Sequence, residues 1–262
     1  MTAQEFAERI RSREKLVGYW VTLDVPPATE RIARLGYDYV VLDGQHGLIS
    51  TTGLLHGLLA IDAGAAIGSG RTVGLVRVEA NDPTPIGRAL DTGAAGVIVP
   101  LIDTAEDVAA AVRAAKYPPV GVRSFGPLRA SLRIDQVPVE ANAQTVVLAM
   151  IETPLGLKNV AEICATPGLD GVYVGPSDLG LSLGARFPGD PEIEGPFEEA
   201  LELIARTARE AGIAAGIHTF DGESAQARLA QGYTFATVSS DLSHLEAVAA
   251  AHLETARGTY PG

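Results

Sequence analysis

Cysteine is nearly missing from this chain: among 262 residues there is one, Cys164. A single thiol closes no internal disulfide, and no Cys/His cluster has the spacing of a structural zinc site. A reducing, cytoplasmic setting fits. Cations are also scarce, with 20 Lys and Arg against 32 Asp and Glu, a net charge of −12. A surface of that sign repels phosphate backbones and anionic lipid, which excludes nucleic acid and membrane surfaces as partners. Long apolar runs are absent as well. The longest uncharged stretch, between Asp43 and Asp62, carries Gln45, two histidines, Ser, two Thr and several Gly, too polar to span a bilayer. The first residues, MTAQEFAERIRSREK, mix both charge signs and lack the apolar segment of a secretory signal.

What is present is ordinary for a folded chain: 47% apolar and 20% charged residues, far from the composition of disorder. The length suits one large domain, and a single domain over 1–262 is expected, with no linker or low-complexity segment. Short runs rich in Val, Ile and Tyr alternate with stretches of helical spacing, the pattern of βαβ units. Eight strands are predicted: Leu16–Leu23, Tyr39–Asp43, Val73–Val78, Gly96–Leu101, Val146–Glu152, Gly171–Gly175, Ala214–Phe220 and Thr234–Ser239. At about 33 residues per unit, this matches a (β/α)8 TIM barrel, with a doubly wound open sheet as the alternative. Pro196–Ala211 has the three- and four-residue apolar spacing of a connecting helix, and Gly36, Gly93, Gly212 and Gly232 stand where helices end before strands. One long irregular segment, about 117–144, is expected to be an active-site loop over one mouth of the barrel.

Active sites of such barrels lie at the C-terminal ends of the strands, so the polar residues that end each apolar run are the candidates. Strand 2 delivers Asp43, Gln45 and His46; strand 3 carries Arg77; strand 5 ends in Glu152; strand 6 runs through Gly175 to Ser177 and Asp178. Glu152 and Asp178 are acceptor-only oxygens on adjacent strands, the donor type that a hard divalent ion such as Mg²⁺ or Mn²⁺ takes, unless each merely caps a helix or pairs with arginine. Ser177 and nearby backbone N–H groups offer a carboxylate site, although a helix cap alone accounts for that pattern. His46 is the best-placed of five histidines for proton transfer. His218, at the end of strand 7, is a supporting group; His56, His244 and His252 read as structural. Asp91 precedes strand 4, and residue chemistry alone does not separate it from the polar face of a helix.

The three lysines, Lys15, Lys116 and Lys158, are all predicted away from strand C-terminal ends. A Schiff base needs an amine in the barrel mouth, so that route is disfavoured and carbonyl chemistry here calls for a metal. GSGRTVG at Gly68–Gly74 misses a dinucleotide-binding fingerprint by one residue and precedes a strand instead of following one. No P-loop, H-E-x-x-H or G-x-S-x-G occurs, and Cys164 has no nearby base.

In order, VVLDGQHG, VRVE, ALDTGAAGVIVP, PPVGVRSFGPLRA, MIETPLGL and GVYVGPSDLGLSLG resemble the HpcH/HpaI aldolases, the metal-dependent class II pyruvate aldolases, which include 4-hydroxy-2-oxoheptanedioate and 2-keto-3-deoxy sugar-acid aldolases. The resemblance spans about residues 15–245. It implies a (β/α)8 barrel whose last helix is exchanged between subunits, usually in a homohexamer, and reversible cleavage of a 4-hydroxy-2-keto acid to pyruvate and an aldehyde. It also implies Mg²⁺, Mn²⁺ or Co²⁺ on Glu152 and Asp178, with Arg77 at the keto oxygen. His46 then acts as base, paired with Asp91, a role for Asp91 that comes from the resemblance only. Asp43 lies in the same block, and the substrate is expected against Arg77, Gln45, Ser177 and Gly175. Many members carry Glu where this chain has Gln45, and a neutral amide does not raise an imidazole's pKa by charge. The alternatives are a citrate-lyase-like C–C lyase acting on an acyl-CoA thioester and a non-catalytic barrel scaffold.

Overall fold

A computed structural model of the chain describes residues 1–68, 70–135 and 137–258. Eight strands, β1 (Leu16–Val21), β2 (Tyr39–Asp43), β3 (Val73–Arg77), β4 (Gly96–Val99), β5 (Val146–Ile151), β6 (Gly171–Val174), β7 (Ala214–Thr219) and β8 (Phe235–Ser240), close into one parallel barrel in chain order. Closure of β8 onto β1 leaves no edge strand and excludes the open-sheet alternative. The predicted strands lie within about two residues of those observed. Around them run α1 (Ala3–Arg11), α2 (Pro26–Ala33), α3 (Thr51–Ile67), α4 (Pro83–Asp91), α5 (Ala105–Ala115), α6 (Pro138–Gln144), α7 (Pro154–Lys158), α8 (Val160–Cys164), α9 (Pro176–Ser182), α10 (Glu194–Ala211), α11 (Gly222–Ala230) and α12 (Asp241–Arg257). Gly36, Gly93, Gly212 and Gly232 all take positive φ after helices, where a side chain would strain the turn.

The barrel interior is aromatic. Trp20 stacks on Tyr173 at 5.8 Å between centroids, and Phe235 meets both Tyr173 and Tyr39. Both tyrosine hydroxyls share the Thr237 hydroxyl, at 2.9 and 2.7 Å, which satisfies them inside an apolar core. Room for the rings comes from two strand glycines, since a Cβ on Gly18 would collide with Tyr39 and one on Gly216 with Phe235. Helix α1 stops the N-terminal mouth with Phe6 and Ile10, which belong to the same apolar cluster as the interior rings.

The 117–144 segment corrects an expectation. It leaves the C-terminal end of α5 and enters the N-terminal end of β5, so it lies at the mouth closed by α1, opposite the strand C-termini. Tyr117, Ile134 and Ala141 join the α1 cluster, and Arg11 Nη1 donates to Ala143 O at 2.5 Å. The physical reason is topological: in a βα barrel every αβ connection lies at that end. Lys116 is buried there, its Nζ donating to Asn142 O at 2.6 Å and Thr145 O at 2.5 Å.

Helix α12 is the other departure from a self-contained barrel. Asp241 anchors its start by accepting from Thr22 N at 2.8 Å and Leu23 N at 3.1 Å, and Tyr19 Oη lies 2.9 Å from His244 Nδ1. Beyond that start no residue of the helix is buried; Leu245, Val248 and Leu253 stand more than half exposed.

Candidate active site

The β2–β3 register sets Asp43 beside Arg77 as Cα partners at the ends of their strands. Asp43 is buried and takes five hydrogen bonds. Arg77 Nε and Nη2 reach its two oxygens at 2.9 and 2.6 Å, Trp20 Nε1 donates at 3.2 Å, and the backbone N–H groups of Gln45 and His46 donate at 3.0 and 3.1 Å. Burial alone pushes its pKa up. The Arg77 fork and charge, with the His46 and Trp20 donors, outweigh that and hold it below the ordinary value. A carboxylate so engaged is neither a base nor a metal ligand. It orients Arg77 and folds the 44–47 turn that presents His46.

Arg77 has five N–H donors, of which the fork uses two, leaving three for a ligand. Its guanidinium lies 5.0 Å from the Trp20 ring centroid. Trp20, His46, Arg77, Gly175, Ser177, Asp178 and His218 line one open pocket of about 250 Å³ at the strand C-termini. Gln45 does not line it; its Oε1 is buried without a hydrogen-bond partner.

Glu152 follows β5 and is buried, with Oε1 accepting from Leu101 N at 2.7 Å. Leu101 presents that N–H from a left-handed backbone conformation, φ +54°, an arrangement strained for a branched residue. Burial raises the Glu152 pKa, the Leu101 N–H opposes the rise, and the Asp178 charge adds to it. A Cβ placed on Gly175 would come within 2.8 Å of Glu152 Oε2 and 3.8 Å of Asp178 Oδ2. Both carboxylate oxygens therefore border one small space that only glycine leaves open. Among the described residues no group of three His, Cys, Asp or Glu forms a metal cage. Two oxygens with room for water or substrate fit a divalent ion that keeps exchangeable positions.

Asp91 stands apart from His46 within this chain. It ends α4, which runs away from the strand C-termini, and its Oδ1 accepts from Arg123 Nη2 at 2.6 Å. The expected pairing with His46 is not formed within this chain. His218 gains standing: it forms part of the pocket wall, edge-on to Trp20 at 5.4 Å. Burial pushes its pKa down to about 4, with the Arg77 charge adding and Asp43 opposing, so at neutral pH the ring carries no charge. Sequence reasoning missed Trp20 and Leu101. Trp20 is the only tryptophan, on a predicted strand, which was a usable signal; nothing in the sequence marks a backbone donor at Leu101.

The parallel barrel gathers an arginine, two carboxylates and a histidine at the C-terminal ends of its strands, and comparison places the chain in a family. Residues 16–247 match the family model HpcH/HpaI aldolase/citrate lyase, and the chain belongs to that family. It is 39% identical to a hydroxypyruvate/pyruvate aldolase of Rhizorhabdus wittichii, over 94% of this chain and 95% of the relative. It is 36% identical to a 4-hydroxy-2-oxovalerate aldolase of Rhodococcus jostii, over 92% and 90%. A solved HpcH/HpaI aldolase/citrate lyase family protein from Burkholderia cenocepacia superposes with a TM-score of 0.88 at 32% identity, covering 97% of this chain and all of that one.

Proposed function

We infer that this chain is a carbon–carbon lyase, a class II pyruvate aldolase that reversibly cleaves a 4-hydroxy-2-keto acid into pyruvate and an aldehyde. The observation that carries this reading is the convergence of the free Arg77 donors, His46 and the Glu152–Asp178 space on one mouth of the barrel, in a chain whose relatives at 36–39% identity are named aldolases. Glu152 and Asp178 would hold the divalent ion, Mg²⁺, Mn²⁺ or Co²⁺, which supplies charge neutralisation at the keto acid's oxygens.

The chain's own residues do the rest. His46 accepts the proton of the C4 hydroxyl, the C3–C4 bond breaks, and the aldehyde departs as the bonding pair moves toward the keto oxygen. The developing enolate oxygen meets the unspent N–H groups of Arg77, whose direction the Asp43 fork fixes before the reaction begins. Proton return to C3 gives pyruvate. Ser177 and the backbone around Gly175 receive the substrate carboxylate. Lys116 is held against carbonyls at the far mouth, Lys15 precedes β1 and Lys158 ends α7, and none of the three lines the pocket around Arg77 for a Schiff base to form on. The same reading takes the protein as a cytoplasmic homo-oligomer, hexameric as in the family it resembles, with α12 exchanged between subunits. Among the described residues no helix is long and apolar enough to cross a membrane.

The test is pyruvate addition to a panel of aldehydes by purified protein, with chelation and readdition of Mn²⁺. Loss and recovery of turnover is expected, with no adduct after borohydride treatment in pyruvate. Borohydride trapping on a lysine would overturn the assignment.

A further inference from the structure

The active mouth has a second compartment. On the outer side of β7 a cavity of about 310 Å³ opens between α9, the 188–193 turn, α10 and α11. Pro176, Ser177 and His218 line both this cavity and the pocket around Arg77, so the two spaces adjoin through a common wall. The far walls are apolar, built from Ile193, Phe197, Leu201, Ile217 and Phe220.

Charged side chains at its border are already engaged. Asp190 accepts from Arg186 N and Nε, each at 3.0 Å, and from Glu192 N at 3.1 Å. Arg228 is forked onto Glu198 with both contacts at 2.6 Å. Glu194 stands exposed at the rim. An anionic tail would gain no unpaired cation in this space and would face that carboxylate. An apolar group would be welcome, since the volume is about twice the ~150 Å³ cavity that accepts benzene.

The acceptor carbonyl must lie against C3 of the pyruvate unit, close to Arg77 and His46, and its substituent must then leave the polar pocket. Ser177 and His218 stand between the two spaces, and the His218 ring carries no charge at neutral pH. We propose that the cavity outside β7 receives the hydrocarbon substituent of the aldehyde, so that uncharged aldehydes with an aliphatic chain or aromatic ring are the acceptor class. This rests on the aldolase reading and adds the substrate class to it.

Gly180 supplies the test. It lines the cavity, and a Cβ there meets nothing nearer than Ile193 Cδ1 at 3.9 Å, so the first carbon of a Gly180→Leu side chain enters at ordinary contact distance and the rest takes up cavity volume. Metal-loaded enzyme is assayed for pyruvate addition to propanal, butanal, pentanal and hexanal, with succinic semialdehyde as the charged comparison. Oxaloacetate decarboxylation, which uses no aldehyde, reports the pyruvate half. In the wild type kcat/KM should rise about fourfold per methylene, with no comparable gain for the semialdehyde. Gly180→Leu should flatten the series, lowering the hexanal-to-propanal ratio about sixtyfold, and Gly180→Ala should fall between. A flat wild-type series, or an unchanged ratio in Gly180→Leu, overturns the cavity assignment while decarboxylation and propanal addition leave the aldolase reading standing. Absence of both reactions in the wild type overturns that reading and the cavity with it.

Discussion

Asp43 and Arg77, Cα partners at the adjoining ends of β2 and β3, are joined at two points, Nε to Oδ1 at 2.9 Å and Nη2 to Oδ2 at 2.6 Å. The guanidinium is thereby aimed before any substrate arrives. Because the pair is buried, each partner depends on the other for its charge compensation.

Removing one side should therefore be costly twice over. Asp43→Ala leaves a buried, unopposed arginine and is expected to lower unfolding free energy by about 3–5 kcal/mol. Arg77→Lys keeps the charge but loses the fork, and should cut kcat about 10²–10³-fold with a smaller loss of stability. Urea unfolding and steady-state kinetics on both variants separate the two effects. The folded-state pKa of Asp43 is depressed, so its contribution is present above the unfolded value near 3.9 and is lost as pH falls through the lower folded value.

His218 gives a different acid response. Its folded-state pKa, down to about 4, lies below the unfolded value near 6.5. Between those values the unfolded chain binds the extra proton, so stability falls as pH drops from about 6.5 toward 4. The expected loss between pH 7 and pH 5 is about 2 kcal/mol from this residue alone. His218→Asn should remove it, shrinking the gap between urea midpoints at those two pH values. An unchanged gap would show that the folded ring takes up its proton at the same pH as in the unfolded chain.

The barrel was legible because each strand is an apolar run closed by turn residues, and Asp43, Arg77, Glu152 and Asp178 could be found as the polar ends of those runs. What failed was position along the barrel axis. The 117–144 segment reads as a long loop, but only the direction of α5 and β5 shows which mouth it covers. The within-chain position of Asp91 was hidden for the same reason, since its helix carries it away from His46 to Arg123. Leu101 was invisible because its contribution is a backbone N–H, which every residue but proline possesses. The role of Asp43 was half visible: its place was clear, while its five donors come from three elements that only folding brings together.

Helix α12 makes a prediction about assembly. It exposes Leu245, Val248 and Leu253 along a helix with no buried residue, an apolar surface that a neighbouring subunit would cover. Full-length protein should be oligomeric by light scattering. Deletion from Ser243 onward should give smaller species, and Leu245→Glu with Val248→Glu should do so while keeping the helix. Monomeric full-length protein would remove the exchanged-helix assignment.

The last prediction separates the two halves of the chemistry. Loss of CO₂ from oxaloacetate and aldol cleavage both develop an enolate of pyruvate, so both charges arise beside Arg77 and the Glu152–Asp178 space. Only aldol cleavage must also take a proton from a hydroxyl group. Arg77→Ala should depress both reactions by a similar factor, about 10²–10³ for a lost oxyanion donor. His46→Ala should depress aldol cleavage about 10²–10⁴-fold, the usual contribution of a general base, and leave decarboxylation within a few-fold of wild type. Both rates measured on the same metal-loaded preparations decide it. Equal losses in the two reactions for His46→Ala would end its assignment as the base. A wild-type protein that cleaves aldols without decarboxylating oxaloacetate would mean that the shared-enolate mechanism is wrong, because the same three groups would then be stabilising a different charge.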